Sequence, residues 1–225
     1  MKKKIVVIGT GGAGRGIMDL IESCNQEENI YDPLGFVVDP QFGTPGTMII
    51  DKPILGGFDW LENNASKVYV VCAVGESHLR LRVVNRLIKM NCRFINLIHP
   101  WSKQCSSRWV TFGEGVIING GQADNSVRIG NHVYINALAV IGHDSTLMDF
   151  VTIAPGVHLS GYVTLETGSF IATGATILPK VKVGEWAVVG AGSVIHKDVA
   201  PNATAVGILQ RDINQREPGW HLVSD

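Results

Sequence analysis

An aliphatic residue recurs at every sixth position along the second half of the chain: Ile129, Ile135, Ile141, Leu147, Ile153, Leu159, Leu165, Ile171, Ile177, Val183, Val189 and Ile195. Two residues before each stands a small or branched one: Val127, Val133, Ala139, Ser145, Val151, Val157, Val163, Ser169, Ala175, Val181, Ala187 and Ser193. A period of six fits neither a helix nor a two-faced strand. It predicts a hexapeptide-repeat parallel β-helix, each hexad supplying one short strand and one corner. The large aliphatics point into the prism, and the smaller row fills the space beside each corner. Three hexads close one coil, so residues eighteen apart stack on one edge. Upstream, residues 110–113 and 116–118 look like hexads out of phase with the later run, and Gly120-Gly121-Gln122 absorbs the offset.

The first hundred residues follow another rhythm. Residues 4–9 read as a buried strand, followed by Gly9-Thr10-Gly11-Gly12-Ala13-Gly14 and a helical pattern through Ile17, Leu20 and Ile21. Further strands are predicted over 34–38, 68–74 and 93–98, with a short helix over 58–64 and an amphipathic one over 79–90. Strands alternating with helices imply an α/β domain, a small Rossmann-like parallel sheet with right-handed crossovers. The expected organisation is therefore residues 1–100 as the α/β domain, 101–212 as the β-helix and 213–225 as a tail.

Composition narrows the classes. In 225 residues the net charge is −1 and no run of like charge occurs, so neither nucleic acid nor a membrane surface is an expected partner. The apolar run after Met-Lys-Lys-Lys is too short for a leader, and no stretch is long enough to span a bilayer. Cys24, Cys72, Cys92 and Cys105 lack metal-ligand spacing; reduced thiols, no metal and a cytoplasmic location are expected.

The glycine-rich turn lies after a strand and before a helix, the arrangement that lets backbone amides cradle a phosphate. Asp39, 25 residues beyond Gly14, stands where an acidic residue reaches a ribose or base. A glycine turn also serves close helix–strand packing, and both roles remain open at this point.

The two parts in this order resemble the NeuD/PglD group of sugar acyltransferases. The resemblance covers about residues 4–212. It is carried by the glycine-rich opening, Asp39, Asn96-Leu97-Ile98-His99-Pro100, Ile135-Asn136, Gly142-His143-Asp144, Val189-Gly190-Ala191-Gly192-Ser193-Val194 and Lys197-Asp198-Val199. It implies a left-handed β-helix, a homotrimer with active sites between subunits, and acetyl-CoA as co-substrate. It also implies a nucleotide-linked amino sugar held by the first domain, and a place in surface polysaccharide biosynthesis. Gly12, Ala13, Gly14, Arg15, Asp39, Pro40, Gly75 and Asn136 would hold that sugar nucleotide, and Thr152, Thr173 and Ala191 the coenzyme.

His143 lies two residues past the inward Ile141, at a corner. An amine attacking a thioester needs a base near neutral pH, and imidazole supplies one. Asp144 is placed to orient the ring and stabilise its cation. Gly161, eighteen residues on, leaves bare backbone beside the histidine, and its N–H can donate to a developing oxyanion. His132, His158 and His196 read as ordinary surface residues. Lys180, Lys182 and Lys197 are candidates to meet coenzyme phosphates.

Some positions depart from the family pattern. Gly14-Arg15-Gly16 replaces a common Gly-His-Gly, favouring anion holding over acid–base work. Thr152 stands where some members carry a second histidine. Gly207-Ile208-Leu209-Gln210-Arg211 replaces Gly-Val-Pro-Ala-Lys, and the tail, with Trp220, either caps the open prism end or is disordered. Three functions are compatible with this pattern: an N-acetyltransferase of a nucleotide-linked amino sugar, an O-acetyltransferase of a sialic-acid-like sugar, and a non-catalytic trimeric nucleotide-binding scaffold.

Overall fold

A computed structural model of the chain describes residues 2–102, 109–208 and 211–220; Cys105, Leu209, Gln210 and the last five tail residues lie outside them. The chain forms two units, residues 1–75 with 79–100, and residues 76–78 with 101–225.

In the first unit, Ile5 to Ile8 are at most 3 % exposed, so β1 (Lys3–Ile8) is buried on both of its faces. β1 pairs in parallel with β2 (Tyr31–Val37) on one side and β5 (Tyr69–Cys72) on the other. The sheet extends through β3 (Met48–Ile49), β4 (Lys52–Gly56) and β6 (Arg93–Phe94), in the order β3-β4-β2-β1-β5-β6. The helices are α1 (Gly12–Glu27), α2 (Phe58–Glu62) and α3 (Ser77–Lys89). The antiparallel β3–β4 hairpin was not anticipated. Its turn residues Ile50 and Asp51 take φ of +44° and +56°, a job that Asn-Gly normally advertises, and β4 contains Pro53. The expected strand over 93–98 breaks into β6 and β7 (Leu97–Ile98).

The second unit is the prism. Two-residue strands stack in parallel into three faces. One face holds Thr111–Phe112, Arg128–Ile129, Thr146–Leu147, Thr164–Leu165 and Lys182–Val183. A second holds Ile117–Ile118, Tyr134–Ile135, Thr152–Ile153, Phe170–Ile171 and Val188–Val189, continued by Ala203–Val206 and the antiparallel Arg211–Gln215. The third holds Gln122–Ala123, Val140–Ile141, His158–Leu159, Thr176–Ile177 and Val194–Ile195. No residue of either six-period row is more than 4 % exposed. Each such aliphatic contributes about 1.5–3 kcal/mol of burial. This unit is a left-handed parallel β-helix, the fold class expected from the repeat.

The phase slip is where the glycines place it. Thr111 pairs with Arg128 and Ile117 with Tyr134, seventeen residues apart, whereas Gln122 pairs with Val140, eighteen apart. One residue is therefore missing between Ile118 and Gln122, and Gly120 takes φ of +81° to make the shortened corner.

The hydrophobic rows conceal a third row. Three residues after Ala123 and after every inward aliphatic from Ile129 to Val189 the backbone enters the left-handed region: Ser126, His132, Leu138, Asp144, Phe150, Gly156, Tyr162, Gly168, Gly174, Lys180, Trp186 and Gly192 all have positive φ. That conformation costs a non-glycine residue roughly 1–2 kcal/mol. The offset is a fastening: Asp144, Tyr162 and Lys180 each donate their N–H to the corner carbonyl of the preceding coil, on Asn125, His143 and Gly161.

Candidate active site

The corner following the third face gathers the candidate catalytic residues. The turn out of the Val140–Ile141 strand puts Gly142, His143 and Asp144 outside the prism, and the coil above brings Ser160, Gly161 and Tyr162 to the same edge. His143 Nδ1 lies 2.8 Å from Asp144 Oδ2, and both side chains are about half or less exposed, at 47 % and 38 %. With its Nδ1–H donated to the carboxylate, the ring keeps its lone pair on Nε2, the tautomer a general base requires.

Gly161 bears out the geometry of the stacking. A β-carbon there would stand 2.6 Å from His143 Nε2 and 2.7 Å from Cε1, so the imidazole lies directly against this backbone. The Gly161 carbonyl accepts from Lys180, while its N–H donates to no acceptor among the described residues. Gly142 contributes as well: a β-carbon there would come within 2.8 Å of the Gly161 nitrogen. Both glycines thus keep one amide open next to Nε2. Sequence spacing found Gly161; Gly142 was seen only as part of a motif, because which atoms its missing side chain spares depends on the stacking.

The coenzyme candidates divide. Thr173 and Ala191 stack eighteen apart at the corner following the second face, both exposed, with N–H groups that no described acceptor takes. Thr152 belongs elsewhere. It is 2 % exposed on the second face, and its hydroxyl accepts a 3.0 Å hydrogen bond from Ser77. Its hydroxyl is thereby engaged within the protein, while Thr173 and Ala191 stand open. Lys182 pairs with Glu166 at 2.6 Å, while Lys180 and Lys197 are exposed on the His143 edge. His132 is not a surface residue: it is 5 % exposed, stacked on Phe150 with ring centroids 5.2 Å apart. His158 and His196 are exposed.

In the first unit the glycine turn separates two roles that the motif alone left together. Gly14 is buried, and a β-carbon on it would drive into the Gly9 carbonyl; it is glycine so that α1 can approach β1. Gly11, Gly12 and Gly75 have open space where a side chain would go. Ala13 is half-buried and Arg15 exposed, its guanidinium 3.5 Å from the Thr10 carbonyl. Asp39 follows β2 and caps the 3-10 turn that Pro40 begins, and its carboxylate pairs at 3.1 Å with Arg86, whose guanidinium lies 3.7 Å above the Phe58 ring. Arg86 and Phe58 were not foreseen; their link to Asp39 spans 47 residues and leaves no local signal. The turn at Gly75 is held by Arg80, 1 % exposed, which donates to the Val74 and Gly75 carbonyls at 2.9 and 2.8 Å. Asn136 is committed to the prism, its side-chain amide donating to the Ile153 carbonyl at 2.9 Å.

Among the described tail residues, Trp220 lies on the prism flank. Trp220 lies against His78 and Arg216 and, with Gly168, Phe170, Trp186 and Val188, lines a cavity of about 310 Å³ on the prism flank. Burial pushes the Cys24 thiol up to about 11 and the Cys72 thiol to about 12. Among the described residues no cluster of metal-ligating side chains occurs, and no helix is long and apolar enough to cross a membrane.

Comparison with known proteins agrees with both parts. The family described as PglD N-terminal domain matches residues 4–87. GDP-perosamine N-acetyltransferase of Escherichia coli O157:H7 is 27 % identical over 179 residues, 76 % of each chain. The structure of PerB from Caulobacter crescentus, in complex with CoA and GDP-perosamine, aligns with a TM-score of 0.84 at 25 % identity over 94 % of this chain and 97 % of that one. The acetyltransferase domain of PglB from Neisseria gonorrhoeae, in complex with acetyl coenzyme A, aligns at 0.82 and 26 % over 95 % and 100 %. The chain is an acyltransferase whose residues 4–87 match the PglD N-terminal domain family and whose second unit is a left-handed hexapeptide-repeat β-helix.

Proposed function

We propose that the protein transfers an acetyl group from acetyl-CoA to the amino group of a nucleotide-linked amino sugar. The observation that carries this is the edge built by His143, Asp144 and Gly161, where a base nitrogen and an unclaimed amide lie side by side. The amine lone pair attacks the thioester carbonyl, and the carbonyl π electrons move to oxygen, which Gly161 N–H stabilises. Nε2 takes the proton from the attacking nitrogen, and Asp144 stabilises the imidazolium. Collapse of the intermediate expels the coenzyme thiolate, which receives the proton from Nε2. The open amides of Thr173 and Ala191 suit the amides of pantetheine, and Lys180 and Lys197 its phosphates. They support a homotrimer in which one prism supplies His143 and its neighbour the coenzyme groove. In the first domain, Gly12, Ala13, Arg15, Asp39, Pro40 and Gly75 hold the sugar nucleotide, with Gly14 shaping the turn. The protein then serves surface polysaccharide assembly from a cytoplasmic pool.

The test is thiol release from acetyl-CoA across a panel of nucleotide amino sugars, with free sialic acid and galactosides beside them. Activity on a nucleotide amino sugar, lost by roughly 10²–10⁴-fold in His143→Ala, is the expected outcome. Full activity in that variant removes His143 as the base. Arg15, exposed at the glycine turn, gives the O-acetyl alternative its one foothold, since a guanidinium binds a carboxylate in bidentate fashion. Turnover of the free acidic sugar alone establishes that alternative.

A further inference from the structure

The edge that carries His143 also holds a large side chain with no task in the steps above. Tyr162 occupies the left-handed corner slot one coil above Asp144, at φ +62°, and is 53 % exposed. The slot disfavours an aromatic residue, and asparagine or glycine enters it at lower cost. The residue stands mostly outside the core, whose nearby inward residues Leu159 and Val163 are 3 % and 0 % exposed. What the ring meets is the imidazole of His143, edge to face, with centroids 5.2 Å apart and planes at 85°. The Tyr162 N–H also donates to the His143 carbonyl at 2.9 Å.

We propose that Tyr162 is a positioning residue for His143, the aromatic stop that keeps the imidazole against Gly161 with Nδ1 on Asp144. This rests on His143 being the base. A histidine on a half-exposed corner, tied by one hydrogen bond to the next residue, remains free to swing about that bond. The Gly161 backbone blocks the swing at one place and the tyrosine ring at another, so that Nε2 stays beside the open amide. The hydroxyl takes no part; the ring is the working element.

The experiment compares Tyr162→Phe with Tyr162→Asn, chosen because phenylalanine keeps the ring and asparagine suits the slot. Tyr162→Phe should hold kcat within about twofold, and Tyr162→Asn should lose about fivefold to tenfold, the scale of one aromatic edge contact. KM for both substrates should stay unchanged and Tm should hold or rise. Opposite signs in rate and stability exclude a merely structural role. Imidazole ¹⁵N shifts supply a readout independent of turnover: one fixed tautomer for His143 in the native protein and in Tyr162→Phe, an averaged pattern in Tyr162→Asn. Full kcat in Tyr162→Asn overturns the proposal, as does an equal loss in Tyr162→Phe or a rise in KM alone. If His143→Ala is fully active, the base assignment fails, while the ¹⁵N comparison still decides whether Tyr162 orders the ring.

Discussion

Two glycines show how differently the two halves of this chain use the same residue. Gly14 lies in the sheet domain, and its missing side chain spares a backbone carbonyl of the same domain, the one on Gly9. Gly161 lies on the prism edge, and its missing side chain spares the movable end of a histidine. The first serves the packing of α1 on β1; the second, on the proposed function, serves the site. A local motif cannot make this distinction. What separates them is whether the neighbouring atom can step aside.

The sharpest way to break that contrast is to add one methyl group at each site. In Gly161→Ala the imidazole must move off its seat, and a displacement on the scale of 1 Å predicts a roughly 10²-fold drop in kcat with Tm unchanged. In Gly14→Ala a backbone must move instead, and destabilisation of about 3 kcal/mol or more is expected, read as a lower denaturant midpoint. Should Gly161→Ala retain its rate, the seat is not where the chemistry happens.

Alkaline melts separate the halves by another route. Cys72 is pushed from 9.0 to about 12 and Cys24 to about 11, both by burial and both in the sheet domain. A raised thiol pKa means the native state retains a proton that the unfolded chain releases. The associated stability is complete below pH 9 and is drawn away as pH climbs toward 12. Calorimetry should therefore show an early transition of the sheet domain moving down above pH 9, and Cys72→Ala should flatten that trend. A single transition with no slope there contradicts it.

The smallest expected effect falls on Gly12, which has open space around it at the start of α1. Gly12→Ala should stabilise the sheet domain by about 0.5 kcal/mol through a stiffer unfolded chain, while weakening protection by added nucleotide sugar in thermal shift. A gain in stability with no loss of that protection removes Gly12 from the ligand site.

Much of the prism was legible because its rule is one-dimensional. Once Ile141 is known to point inward, His143 must reach the outside, and adding eighteen locates Gly161. The phase slip at Gly120-Gly121 could be read for the same reason. The left-handed row was not legible, since Ser126, His132, Leu138, Phe150 and Trp186 share backbone geometry and no chemistry. For Thr152 the spacing locates the residue on its coil and says nothing of what covers the face; the bond from Ser77, 75 residues away, decides that. Asp39 is singled out by its spacing from the glycine turn, but its partner Arg86 and the Phe58 ring beneath that guanidinium come together through tertiary packing alone. The β3–β4 hairpin escaped notice because its turn is made by Ile50 and Asp51 against their preference.

Each circuit of the prism returns the chain to the same edge after eighteen residues, with a rise of about 4.8 Å. The climb from the imidazole to the ammonium groups of Lys180 and Lys197 is then counted in whole circuits, two and three, roughly 10 and 14 Å. Duplicating one circuit would leave the contacts inside every other circuit untouched and lengthen that climb by a single step. On the proposed roles of Lys180 and Lys197, the number of hexads between them and His143 sets the reach from thioester to phosphates that this edge accepts.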